Sequence, residues 1–427
     1  MGGFDRDHYL NTSKVLLAHQ RRRRRRRVYF SIDGIEPRAK RSMRDGDKDE
    51  VQRQLLEQLG NLHRRAFRGP LALRLTLRTT EKTPTQSHNV AKNLLDLFGR
   101  PRLTLATRRH SLLYADDHQV HALAVGCRHG EDAPMISAVA SPLACLLEDL
   151  DLALQFEREG RDGNRDRKES DRFGEAVDHV KDWMRDEAEI RRHFGDRAFE
   201  SLLHCFRQQA QENLLKSAAV TPFDLARMYD LAGHASDIDL AEIWKQMFTS
   251  TPLRIMLSEL PQVKGSSTLW EQEIDEKLRA FQAQFGWLVD PLLVPVALEV
   301  MIKPPPASRQ NNLHDLDNVL RDYLIPRVVS ILKPVSRYAF MLDAESVERD
   351  TRDLFSDPRF AQYRARLPKP PASTKFGVTR YDAWRLPPAV EGREGFVSVA
   401  VVSDITGHGD IFGQIDEEVE KWRESLE

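Results

Sequence analysis

The chain has 427 residues, more than one ordinary core holds, so two or three domains are expected. A net charge of −1 excludes a whole-molecule field that draws the chain to nucleic acid, and 41% hydrophobic with 30% charged residues suits a globular protein with no apolar run near membrane-span length. Cys127, Cys145 and Cys205 lack CxxC spacing, which argues against a disulfide framework or zinc site and for a reducing, cytoplasmic compartment.

The first twenty residues carry no apolar stretch ahead of a small-residue cleavage site, so no signal peptide is expected. Residues 1–70 hold 18 Lys/Arg against 9 Asp/Glu. The centre of that excess is the run Arg21, Arg22, Arg23, Arg24, Arg25, Arg26 and Arg27. It reads as a flexible basic arm over 1–27, either merely solvated, a nuclear localisation signal, or a phosphate-binding arm, since arginine pairs bidentately with phosphate.

Residues 28–142 predict an α/β unit. Val28–Ile32 alternates as a strand, Glu50–Phe67 has helical spacing, and Leu71, Leu73, Leu75 and Leu77 alternate with Arg74, Thr76 and Arg78 as a half-buried strand. Asn89–Phe98 predicts a helix, and Val120–Val125 and Met135–Val139 two further strands. Residues 143–267 predict a helical spacer, with helices over Ala176–Trp183, Phe199–Leu215, Phe223–Leu231 and Leu240–Phe248. Thr221-Pro222 is a strong start for the third of these, Thr as N-cap and Pro in the first turn. Residues 268–404 return to α/β, with helices over Leu269–Phe285 and Asn318–Ile331 and strands over Val296–Ile302, Gly377–Leu386 and Phe396–Val402. An acidic tail follows over 405–427.

Both α/β units run helix, strand, a helix opening on Asn, then strands. Asn89 is followed by Lys92 and Asn318 by Arg321, each cation on its Asn's helix face. Asp315-Leu316-Asp317-Asn318 sets two carboxylates at i and i+2 before a helix, where they can converge on one cation. A single Asp would suffice as an N-cap. The first unit reads Gln86-Ser87-His88-Asn89 there, without either carboxylate, but keeps Asp116-Asp117 before its next strand. There is no Gly-rich phosphate loop, GxSxG or HExxH, so a small-molecule enzyme has no support.

These residues resemble the RusA-like Holliday junction resolvases. That family has D-x-D-N at a helix start, a Lys three residues after the Asn, and an aspartate pair followed by x-Q-V entering a strand. Asp315, Asp317 and Asn318 fit the first motif, with Arg321 for the Lys. Asp116-Asp117-His118-Gln119-Val120 fits the second, and Tyr29–Met43, with Gly34, Pro37, Lys40 and Arg41, fits the opening strand and basic turn. In the second unit Phe340–Val347 fits the aspartate-pair motif with Ala344 for its second Asp, and an inserted loop near 348–376 separates it from the next strand. The resemblance implies two RusA-like mixed-sheet units in tandem, the first degenerate, joined by a helical region into a fused pseudo-dimer. It implies a Mg2+- or Mn2+-dependent, structure-selective DNA endonuclease acting on branched DNA in repair or recombination, and no membrane association. The alternative is a non-catalytic DNA-binding or assembly subunit of the same fold. The expected metal ligands are Asp315, Asp317 and Asp343, with Glu345 as substitute for Asp343 and Asp382 a weaker choice. Arg321 is expected at the scissile phosphate, and Lys40, Arg41, Lys92, Arg100, Arg102, Arg108 and Arg109 on the DNA backbone. The chemistry is accordingly expected in the second unit alone, with Asp116 and Asp117 marking a degenerate site.

Overall fold

The alternation in Leu71–Thr79 places four leucines in one core and the intervening residues toward the opposite sheet face. That strand belongs to the central sheet of a computed structural model that describes residues 13–81, 86–158, 168–234, 239–248, 251–263, 265–290, 292–307, 313–335, 377–404 and 410–424. The strands are β1 Val28–Asp33, β2 Leu71–Thr79, β3 Val120–His129, β4 Met135–Pro142, β5 Arg254–Leu257, β6 Val296–Lys303, β7 Arg380–Arg385 and β8 Phe396–Ser403. The helices that concern the site are α1 Ser13–Arg26, α2 Asp45–Asn61, α3 Ser87–Gly99, α4 Leu143–Arg158, α5 Lys168–Arg185, α6 Glu187–Phe194, α7 Asp196–Ser217, α8 Pro222–His234, α9 Leu240–Met247 and α10 Thr268–Val289. Helix α11 begins over Leu316–Asn318, widens to π geometry over Val319–Leu324 and returns to α over Ile325–Leu332. The chain ends on α12, Ile411–Glu424.

The eight described strands form one mixed sheet in the order β1-β4-β2-β3-β7-β6-β8-β5. The fold class is therefore mixed α/β, as the sequence predicts. In the first four strands β1/β4 and β2/β4 are antiparallel and β2/β3 parallel. In the last four β5/β8 and β6/β8 are antiparallel and β6/β7 parallel. Each half runs strand, helix, strand, helix, strand, strand, helix along the chain. The halves meet where β3 and β7 pair antiparallel, Ala124 opposite Asp382.

The sheet buries both faces. One core holds Leu73, Leu123, Leu298 and Val300 with α2, α3, α10 and α11; the other holds Ala72, Ala122, Met301 and Trp384 with α4, α8, α9 and α12. Strands β6, β7 and β8 are buried at every position, the pattern of strands covered on both sides. Thr221 starts α8 with a reciprocal cap, its Oγ accepting from the Asp224 N–H at 3.2 Å while the Asp224 carboxylate accepts from the Thr221 N–H at 3.0 Å.

Two expectations change here. The 143–267 region is not purely helical, because β5 lies within it as the edge strand beside β8, before the expected start of the second unit at 268. Four residues are too few to show alternation, and the strand is fixed instead by buried Arg254, which donates to Glu299 on β6 at 2.6 Å. The arginine run is not a flexible arm either: Arg21–Arg26 complete α1. Arg23 and Arg27 are four residues apart, so they share a face, and that face meets Asp149 of α4 and Asp416 of α12.

Candidate metal centre

The turn before β3 is built by its own sequence. Asp116 accepts from the His118 N–H at 3.0 Å, and the Gln119 side chain accepts from the Asp116 N–H at 3.1 Å. The same Gln119 amide donates to the Phe67 and Gly69 carbonyls at 3.1 Å each. These bonds leave Asp117 facing across the β3/β7 seam. Because β3 and β7 are antiparallel and β6 runs parallel to β7, the start of β3 lies by the chain that leaves β6, where α11 begins.

There Asp117 joins Asp315 and Asp317: one carboxylate oxygen from each lies within 4.8 Å of the others. Asp315 occupies the N-cap position of α11 yet makes no side-chain capping bond. Its carboxylate instead accepts from Asn318 Nδ2 at 3.1 Å and contacts His118 Nδ1. The N-cap explanation of this aspartate therefore fails. Asp317 is 3% exposed, and Asn318 Oδ1 is buried without a hydrogen bond among the described residues. Three convergent carboxylates form a hard-oxygen donor set of the kind magnesium or manganese takes.

Lys92, from α3 of the first half, enters the same cluster. Its Nζ lies 2.7 Å from Asp117, 3.2 Å from Asp317 and 3.7 Å from Asp96. Burial raises the Asp317 pKa, with Asp315 and Asp117 adding to it against Lys92, and the group titrates at about 6. Burial and then the Asp117 charge also raise Asp315. At Asp117 burial pushes the same way, but the Lys92 hydrogen bond and charge prevail and hold its pKa below the ordinary range. One cation among three carboxylates leaves the cluster net negative when all are ionised.

The other expected residues fall elsewhere. Arg321 pairs bidentately with Asp322, both bonds 2.7 Å. Its charge acts on His88 at the start of α3, where burial is the main cause of a pKa lowered to about 4. Lys92 makes the close contacts with the carboxylates, while the Arg321 charge also acts on Asp317. Asp382 is fully buried mid-strand and paired with Arg380, so it belongs to the core. Asp343, Glu345 and the loop near 348–376 lie outside the described residues.

Several expected DNA contacts are committed within the chain. Arg102 pairs with Asp49 at 2.6 Å and Asp45 at 3.0 Å, Arg109 donates to the Arg64 carbonyl at 2.9 Å, and Lys40 pairs with Asp96 at 2.8 Å. Arg41, Arg100 and Arg108 are exposed, as are Arg21, Arg22, Arg24 and Arg25 on the outer face of α1. Arg26 pairs with Glu148 at 3.0 Å.

Beside the carboxylates a cleft of about 430 Å3 opens, and His118 lies on its wall. Also on that wall is Arg385, 6% exposed, which donates to the His314 carbonyl at 2.6 Å and whose charge acts on Asp315. Sequence reasoning passed over both residues. His118 is the x of the aspartate-pair motif, and Arg385 reads as an ordinary strand residue. No described helix is long and apolar enough to cross a membrane. Compared with known proteins, the chain matches no family model and no curated protein sequence.

Proposed function

We propose that the chain is a divalent-cation-dependent DNA endonuclease, similar to RusA-like Holliday junction resolvases, with one catalytic centre built jointly by two fused halves. The observation that carries this reading is the meeting of Asp117 from the first half with Asp315 and Asp317 from the second. It also accounts for the complementary defects of the two units. One keeps an aspartate pair and the other keeps D-x-D because both belong to the same centre. The reversed position, at the start of α3, carries Gln86 and His88 in place of the two aspartates. The matching strand order and the antiparallel β3/β7 seam support a fused pseudo-dimer.

Asp117, Asp315 and Asp317 would hold Mg2+ or Mn2+, which lowers the pKa of a bound water and neutralises charge on a phosphodiester in the transition state. Lys92, beside both Asp117 and Asp317, stabilises charge developing on a phosphate oxygen. His118, half-exposed, contacts Asp315 through Nδ1, which leaves Nε2 to accept or return a proton. Exposed Arg41, Arg100 and Arg108 supply backbone contacts that position DNA without reading sequence. Branched DNA is the substrate class the resemblance favours. None of the three cysteines forms a disulfide, which agrees with a reducing, cytoplasmic setting.

The test is cleavage of branched, duplex and single-stranded DNA with magnesium or manganese. Cleavage is expected from the full chain and is lost in Asp317→Asn. A chain that binds but cuts no DNA under either metal belongs instead to the non-catalytic, DNA-binding alternative.

A further inference from the structure

The cleft beside the carboxylates has chemistry that the metal centre does not use. At about 430 Å3 it lies within the range of small-molecule sites, roughly 300–1,000 Å3. Leu143 and Leu147, one turn apart on α4, line it together with Leu386 and the Tyr229 ring. Such a lining resists a bare phosphate, which would lose its hydration without enough partners. It suits a flat heteroaromatic group, which needs an apolar surround and a few polar contacts at its edge.

Those contacts are present. Arg385 is 6% exposed, and its Nε is buried without a hydrogen bond among the described residues. The Arg385 side chain lines a cleft otherwise largely apolar, and an unmade bond of this kind is costly unless an acceptor arrives. His121 also lines the cleft; burial, then the Arg385 and His118 charges, lower its pKa to about 4. Its imidazole is therefore neutral near pH 7 and offers one donor and one acceptor. The Tyr229 hydroxyl is already committed, donating to the Arg385 carbonyl at 3.2 Å. The cleft thus presents both donors and an acceptor within apolar walls, and it abuts Asp315 through His118.

We propose that this cleft receives the base of an unpaired nucleotide next to the scissile phosphate, making DNA with unpaired nucleotides, at a branch point or flap, the preferred substrate. This rests on the endonuclease reading of the neighbouring centre. A base inside a duplex must leave its stack to reach such a cleft, at a cost that is least for a base already unpaired. Selection for DNA structure then follows from the cleft, without contacts that read sequence.

The experiment places 2-aminopurine next to the cleaved bond in a flap substrate and in the matching duplex. Binding is read with calcium in place of magnesium and cleavage with magnesium. With the full chain, emission of the flap substrate rises on binding, and the flap is cut at least roughly ten-fold faster than the duplex. Leu147→Trp, which fills the cleft, abolishes both effects while cleavage of the duplex persists. Leu143→Phe, a smaller intrusion, gives the same pattern in part and serves if Leu147→Trp fails to fold. Metal-dependent cleavage with unchanged emission, or a preference that survives both variants, overturns the cleft proposal alone. Absence of all DNA cleavage overturns the endonuclease reading and the cleft proposal with it. Full competition by a free deoxynucleoside monophosphate would mark a mononucleotide site and also overturn it.

Discussion

Asp117 lies in the half of the chain whose helix start has lost its carboxylates, yet it completes the cluster of the other half. Asp117→Asn keeps the shape of the side chain and the turn held by Gln119, but removes one of three ligand charges. Cleavage is expected to fall about 100-fold or more, as it does for Asp317→Asn, because a misplaced cation misplaces the attacking water. Metal-dependent cleavage rates of the two variants, with circular dichroism to confirm folding, decide this. Equal activity of Asp117→Asn and the parent would return the chemistry to the second half alone. The same cluster costs stability. A carboxyl group with a pKa raised from 3.8 to about 6 favours folding in its protonated form. Its stabilising contribution is present below the unfolded value and is lost as pH rises through the folded value. Metal-free Asp317→Asn is therefore expected to be more stable than the parent at pH 7.5, by about 2–3 kcal/mol, with the gain vanishing near pH 4. Urea unfolding at the two pH values measures it, and a destabilised variant at pH 7.5 contradicts it.

Helix α1 shows how one composition yields two kinds of residue. Asp149 is 1% exposed and meets Arg23 at 3.0 Å, Arg27 at 2.7 Å and His19 at 3.1 Å. Burial works against its charge, but the His19 hydrogen bond and the Arg23 and Arg27 charges hold its pKa below the ordinary range. Asp149→Ala would leave buried Arg27 and half-buried Arg23 with the partly exposed Asp416 alone, so a loss of about 3 kcal/mol is expected in urea unfolding. A change under about 0.5 kcal/mol would show that α1 does not dock as described. Arg21, Arg22, Arg24 and Arg25 point outward and are free of this task. Replacing all four with alanine should leave stability nearly unchanged. If they touch DNA, the slope of log affinity against log salt falls by about one per lost contact. An unchanged slope and affinity remove α1 from the DNA-binding surface.

At the scale of the whole molecule, the proposed single joint centre predicts one incision per binding event. Supercoiled plasmid should pass to open circles first, with linear DNA appearing only after circles accumulate. Linear product formed from the outset would require two centres acting together, in one chain or in a pair of chains. The sheet makes this asymmetry possible: the β3/β7 seam brings the loops of one half to the helix starts of the other. Ligands from both halves can be kept at one position and lost at its counterpart without breaking the fold.

Much of this was legible along the chain. The leucine alternation of β2, the helical spacing of α3 and α10, and D-x-D before α11 are local patterns, and local patterns survive in one dimension. The aspartate pair before β3 was legible as well, but not its destination. Asp117 and Asp315 are nearly two hundred residues apart along the chain, and only strand order decides that they meet. The same holds for Lys92 making the close carboxylate contacts expected of Arg321, and for Arg23 and Arg27 turning inward from a run that looks uniform. The sequence by itself determined most of the strands and helices, β5 and α1 excepted, and which residues can bind a cation. Tertiary structure alone decided which of those residues share a site, because burial, charge pairing and approach across a sheet seam depend on distances that sequence separation does not encode.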